Sequence, residues 1–250
     1  PGDLYFSAVA VGGATELTGP SVFQTPNATN DFYVLSSRFG GAGSSYSLQA
    51  HNDFILNTNA AFASTAGRTV SITAGNSIRS NNFSIATAGA DLSLTAQSMT
   101  LGAISTGIGA VTIDVTGVGQ SATQSGAFSG GSLTKQGAGS LELSQANTYT
   151  GGTTIQSGTL NARHAQALNQ AKVTVASGGS LNIDNLTMSL TSGLELSGTG
   201  AGGAGALTGT GMAAYTGSIT LLADSGVGAA TASDQLTLSG VISGATRKLE

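Results

Sequence analysis

The chain has 250 residues, a formal net charge of −4 and only 8% charged residues, against roughly a quarter in an ordinary soluble domain. Its eight scattered Lys and Arg form no basic face, which argues against nucleic-acid binding and against anchoring to an anionic membrane. With no Trp, no Cys and 38 glycines, the core must be built without aromatic bulk, disulfides or thiolate metal sites, and no apolar run is long enough to span a bilayer as a helix.

In chain order, residues 1–50 carry two glycine clusters and several aromatics (Tyr5, Phe6, Phe23, Phe32, Tyr33, Phe39, Tyr46), and read as irregular coils or an extruding loop. Short alternating strands are predicted next at 53–57, 69–73, 83–86, 92–95, 99–101 and 111–115. Further strands follow at 141–144, 153–156, 172–175, 181–184, 194–196, 218–222 and 236–242. No amphipathic helix separates them, which disfavours a doubly wound sheet, and hairpin dipeptides such as Asn-Gly are missing, which disfavours a sandwich. Residues 165–171 lean towards a turn or a single helical coil, and the glycines of 197–213 read as corners between very short strands.

The most specific stretch is 131–160. Leu133, Leu141, Leu143, Ile155 and Leu160 alternate in pieces broken by Gly137, Gly139, Gly151, Gly152 and Gly158. This spans about one coil of a parallel β-helix, in which each strand stacks on its neighbours. A partial echo at 239–248 indicates repetition, the mark of a solenoid. At 20–25 residues per coil and about 4.8 Å rise, the chain predicts a right-handed parallel β-helix of roughly ten coils. Leu141, Leu143, Ile155 and Leu160 should point inward, each contributing about 1.5–3 kcal/mol on burial. Asn147 suits a corner, in left-handed backbone or an amide ladder, Tyr149 should cover a corner with its hydroxyl in water, and Lys135 should be solvated. A ligand-contact role for Asn147, Tyr149 and Thr153 is the rival to this structural reading.

The same stretch resembles the strand repeat of bacterial autotransporter passenger domains. The resemblance is carried by Leu133-Thr134-Lys135, Gly137, Gly139, Leu141-Glu142-Leu143-Ser144, Asn147, Tyr149, Gly151 or Gly152, Thr153 or Thr154, Gly158 and Leu160. Units at 69–75, 92–97 and 110–117 are similar to the filamentous-haemagglutinin type of passenger. The expected organisation is therefore irregular coils over 1–50, haemagglutinin-like coils over 51–130 and passenger-associated repeats over 131–250. Pro1 and Leu249-Glu250 read as cut ends of a longer protein, with Leu-Glu as a cloning scar.

The resemblance implies a secreted or surface-displayed stalk that acts in adhesion and supports passenger folding and export. Its implied partners are a host-cell or matrix component, like molecules, and an outer-membrane transporter during secretion, with no nucleic acid and no membrane insertion of this segment. The alternative is a carbohydrate-active β-helix enzyme, a polysaccharide lyase or glycosidase. Glycoside hydrolysis needs two carboxyls about 5–10 Å apart, which stacked coils supply only if they align two of the scattered acids Asp53, Asp91, Asp114, Glu142, Asp184 and Glu195. A lyase's acid cluster is missing, since no two acids lie within five residues of each other. No catalytic residue, metal site or cofactor is therefore expected, and His51 and His164 read as loop residues. The residues expected to matter are the repeat itself: Leu133, Leu141, Leu143, Asn147, Tyr149, Gly152, Thr154, Ile155, Gly158 and Leu160. Ice binding on threonine arrays would need hydroxyls recurring at one position in every coil, and no such recurrence is legible along the chain.

Overall fold

A computed structural model describes residues 43–250, together with the strand assignments Leu4–Ser7, Thr15–Glu16, Ser21–Phe23 and Phe32–Leu35. The expectation for residues 1–50 therefore falls mostly outside the described residues. From Tyr46 onward the chain winds as an all-β parallel solenoid of about nine turns, in line with the parallel β-helix expected from the sequence. Leu92 pairs with Val111, 19 residues on, whereas Leu194 pairs with Ile219, 25 residues on, so the strands keep register while the corners absorb the difference.

Each turn presents up to three faces. The first face stacks Tyr46–Ala50, Thr69–Ala74, Asp91–Ala96, Val111–Val115 and Leu133–Gln136 in parallel. The second stacks Phe54–Leu56, Ser77–Arg79, Ser98–Leu101, Ser121–Gln124 and Ser140–Leu143. The strands Thr153–Ala162 and Val173–Asp184 are long enough to bend around the corner and serve both faces. What the sequence suggested as separate strands at 172–175 and 181–184 is thus one strand. The third face is a sheet of Ala60–Thr65, Ile85–Ala88, Ile104–Ser105 and Phe128–Ser129, and after an irregular stretch a second one of Thr187–Met188, Met212–Tyr215 and Gln235–Leu238.

Two other expectations need correction. The strand suggested at 83–86 is Ile85–Ala88, because Asn81 and Asn82 adopt left-handed φ of 48° and 67° and make the corner before it. The run 236–242 divides between Gln235–Leu238 on the third face and Ile242–Ser243 on the first. Residues 165–170 form turns rather than a helix, ending on left-handed Asn169 and Gln170. Gly198, Gly200 and Gly211 sit in left-handed corners around Leu207–Thr210, as the glycine-rich run 197–213 suggested.

Alternation of side chains places every second residue of a strand inward. On the first face this builds a column of Leu48, Ile72, Leu94, Ile113, Lys135, Ile155, Val175, Leu196 and Leu221, each in register with the next. All but one are aliphatic. The exception, Lys135, lies in the repeat.

Candidate functional site

Residues 133–162 occupy one turn and a half: the first face, the second face, the third side, and then both faces of the following turn. Their apolar positions behave as ordinary solenoid core, with Leu133, Leu141, Leu143, Ile155 and Leu160 all buried. What distinguishes this turn is a buried polar group at each of its three corners.

At the first corner the side chain of Lys135 is wholly buried in the column between Ile113 and Ile155. Its Nζ donates to the carbonyls of Gln136 and Gly137 (2.9 Å) in its own turn and to that of Ser157 (3.2 Å) in the next. Burial brings its pKa down to about 8, with the Asp114 carboxylate pulling partly the other way. The arrangement also requires Gly158. That residue has φ 67°, and a Cβ there would lie 2.2 Å from the Gly139 carbonyl oxygen and 2.9 Å from the Lys135 nitrogen. Lys135 is therefore not solvated, as its polarity suggested; it closes the corner from within.

At the second corner Asn147 is buried, and its amide joins three turns. Its Oδ1 accepts from Gln124 Nε2 (2.5 Å) and from the Phe128 amide (2.8 Å) in the preceding turn. Its Nδ2 donates to the Ala167 carbonyl (2.8 Å) in the following one. Gln124 is itself buried, opposite Leu101 in the second-face ladder, and Asn147 satisfies it there. Asn147 does not adopt left-handed backbone. Its role is to tie turns together across the corner.

At the third corner the hydroxyls of Tyr149 and Thr153 lie 2.8 Å apart, and Tyr149 also donates to the Ala167 carbonyl (3.3 Å). Both residues are almost fully buried, so Tyr149 does not reach water as expected, and burial pushes its pKa up to about 12. The same burial removes Asn147, Tyr149 and Thr153 as surface contacts for a ligand. Thr153 replaces an aliphatic residue in the column Val111, Leu133, Thr153, Val173, and the tyrosine hydroxyl satisfies it. Gly152 accepts the Leu133 amide hydrogen bond (3.1 Å), and Thr154 faces outward between Thr134 and Thr174.

Four of the acids, Asp53, Glu142, Asp184 and Glu195, are paired with cations. Arg163 bridges Glu142 (2.9 Å) and Asp184 (2.8 Å), one turn on either side of it. Lys172 pairs with Glu195 (2.8 Å), which also accepts from Thr174 (3.0 Å); the Lys172 hydrogen bond is the main reason its pKa lies below the usual carboxylate range. Asp53 accepts from Asn76, from the Ser77 amide and hydroxyl, and from Arg79. Among the described residues no three His, Cys, Asp or Glu side chains come together, and His51 and His164 lie in loops.

Hydroxyls do recur on the exterior, contrary to expectation: Ser47, Ser71, Ser93, Thr112, Thr134, Thr154 and Thr174 stack in register along the first face. Gln49, Asp114 and Gln136 stand two residues further along their strands, so the surface is polar but not a threonine array. A trough of about 250 Å³ lies on the second face over Ser77–Arg79, Ser98–Leu101 and Ser121–Gln124.

The described residues thus form a parallel solenoid with an aliphatic interior and buried polar groups at the corners of one turn. Residues 133–162 match the family model described as the passenger-associated-transport-repeat. That repeat and the solenoid together fit an autotransporter passenger domain; the repeat suggests a structural domain and implies a secreted or surface location. No curated protein and no solved structure matches the chain.

Proposed function

We propose that this chain is a stalk segment of a surface-displayed passenger, and that its transport repeat sets coil register during folding and export while the exterior serves in adhesion. The observation that carries this reading is the set of clamps at Lys135, Asn147 and Tyr149–Thr153, each placed at a different corner of one turn. In a solenoid each turn contacts only its neighbours, so a slip of register is opposed only locally. A slip at Lys135 or Asn147 would leave an ammonium or a carboxamide buried without partners, a cost of several kcal/mol. Such a turn is suited to be the template on which later turns stack, and a segment folded outside the cell resists sliding back through an outer-membrane transporter. Sparsely charged, hydroxyl-rich faces suit contact with a host-cell or matrix component, or with like molecules.

Display of the passenger on cells, scored by protease accessibility in wild type and in Asn147→Ala, tests the export role. Lower display of the variant is expected; undiminished display despite a lower thermal midpoint would overturn it. Binding of the purified rod to host cells and matrix proteins tests the adhesive role, and absence of binding to all of them would sink it.

A further inference from the structure

We propose that the second-face trough is a binding site for a linear, uncharged glycan lying parallel to the solenoid axis, an inference that rests on the adhesive reading and gives it a ligand class. The trough spans three successive turns and is lined by Ser77, Arg79, Ser98, Thr100, Ser121 and Thr123, with the buried Met99 among them as part of its floor. Turns rise by about 4.8 Å, so its outer members lie roughly 10 Å apart, room for a short stretch of polymer. Thr100 faces Arg79 on one side and Thr123 on the other, and Ser77 faces Ser98.

Three features narrow the occupant. The first is unused hydrogen-bonding capacity. Ser77 is held by Asp53 and Thr123 by the Met99 carbonyl, but the hydroxyls of Ser98, Thr100 and Ser121 take no protein partner among the described residues. A hydroxyl both donates and accepts, which suits sugar hydroxyls that do the same. The second is electrical neutrality: the one charge in the trough, Arg79, is paired with Asp53. Beyond the trough the same column continues through Glu142, Asn161 and Asn182, and Glu142 is paired with Arg163. An anionic polysaccharide or nucleic acid would find no uncompensated cation there. The third is the mixed floor. The methyls of Thr100 and Thr123 offer small apolar patches to the C–H faces of a sugar ring, but too little for a lipid or an apolar helix. A β-strand ligand is disfavoured because the strands Ser98–Leu101 and Ser121–Gln124 are already paired with neighbours on both sides. The volume is below that of a drug-sized site, so a single contact is weak, and retention depends on several rods engaging one polymer.

Affinity electrophoresis of the full chain in gels containing mixed-linkage β-glucan, dextran or alginate tests the proposal. Retardation is expected in at least one of the neutral gels and not in alginate. The double variant Thr100→Val/Ser121→Ala removes two unpartnered hydroxyls with little change of shape, and should bind roughly tenfold more weakly or worse at an unchanged thermal midpoint. Ser98→Gln, which fills the trough, should do the same by a different route. Retardation only in alginate, equal retardation of both variants, or none by wild type in either neutral gel would each overturn the proposal. So would sedimentation showing that the variants lose self-association instead, which would make a second copy the occupant. Adhesion to cells retained by the double variant, with no neutral glycan bound, leaves the adhesive reading standing and removes this site. Glycan retention without adhesion to any cell or matrix does the reverse.

Discussion

Lys135 and Ser157 belong to successive turns, yet the ammonium of one reaches the carbonyl of the other at 3.2 Å inside a wall otherwise built from aliphatic side chains. The contact converts a residue type that usually marks the surface into a spacer between corners. Because the charge is buried, it costs free energy that the three carbonyls only partly offset.

This predicts a distinctive pH dependence. Below pH 8 both folded and unfolded chains hold the Lys135 proton, so the full cost of burying the charge is present. Between about 8 and 10.5 the folded chain releases it first, and stability rises with pH. Thermal unfolding at stepped pH should show this rise in wild type and not in Lys135→Met, which fills the same volume without the titration. A rise that survives in the variant would refute the assignment.

At higher pH the sign reverses. The phenols of Tyr149 and Tyr215 are both pushed up to about 12 by burial, whereas their unfolded value is 10. Their stabilising contribution is complete below pH 10 and is lost between 10 and 12 as the unfolded chain ionises. Ultraviolet titration of tyrosinate should show this late ionisation, and Tyr149→Phe should flatten part of the decline. That variant should also lose about 1–2 kcal/mol at neutral pH, since Thr153 then lacks its partner.

Asn147→Ala should destabilise by about 2–4 kcal/mol, because it strands Gln124 and the Phe128 amide as well as losing its own bonds. Asn147→Asp is the sharper probe. It keeps the acceptor for Gln124 and Phe128 but turns a carboxylate against the Ala167 carbonyl. It should therefore be more stable at acid pH, where the carboxyl is protonated and donates, than at neutral pH. Chemical denaturation at the two pH values checks the difference.

Gly158→Ala should cost at least about 2 kcal/mol, since a left-handed alanine carries about 1–2 kcal/mol of strain and its Cβ overlaps the Gly139 and Gly137 carbonyl oxygens. Gly43→Ala has comparable φ of 80° with open space around it, and should cost only the strain. Comparing their denaturant midpoints separates crowding from conformation.

Arg163→Leu, by contrast, breaks two exposed pairs and should change stability by about 1 kcal/mol or less. A loss several times larger, measured by the same denaturation, would show that the Glu142–Arg163–Asp184 cluster is more than a surface bridge.

The sequence by itself determined the architecture, because alternation in short pieces is a local property: Leu141 and Leu143, or Leu92 and Leu94, declare an inward side without reference to any other turn. The parallel solenoid and the transport repeat were both legible on that basis. What only the tertiary structure decided is where polar residues go. Lys135, Asn147 and Tyr149 look like surface or corner residues by type, and become core residues because backbone and side-chain groups of neighbouring turns, and for Lys135 also the carbonyls of Gln136 and Gly137, converge on them. The hydroxyl column from Ser47 to Thr174 was hidden for a related reason. Turns differ in length by several residues, so positions that stack in space have no constant spacing in the chain, and only the hydrogen-bonded register aligns them.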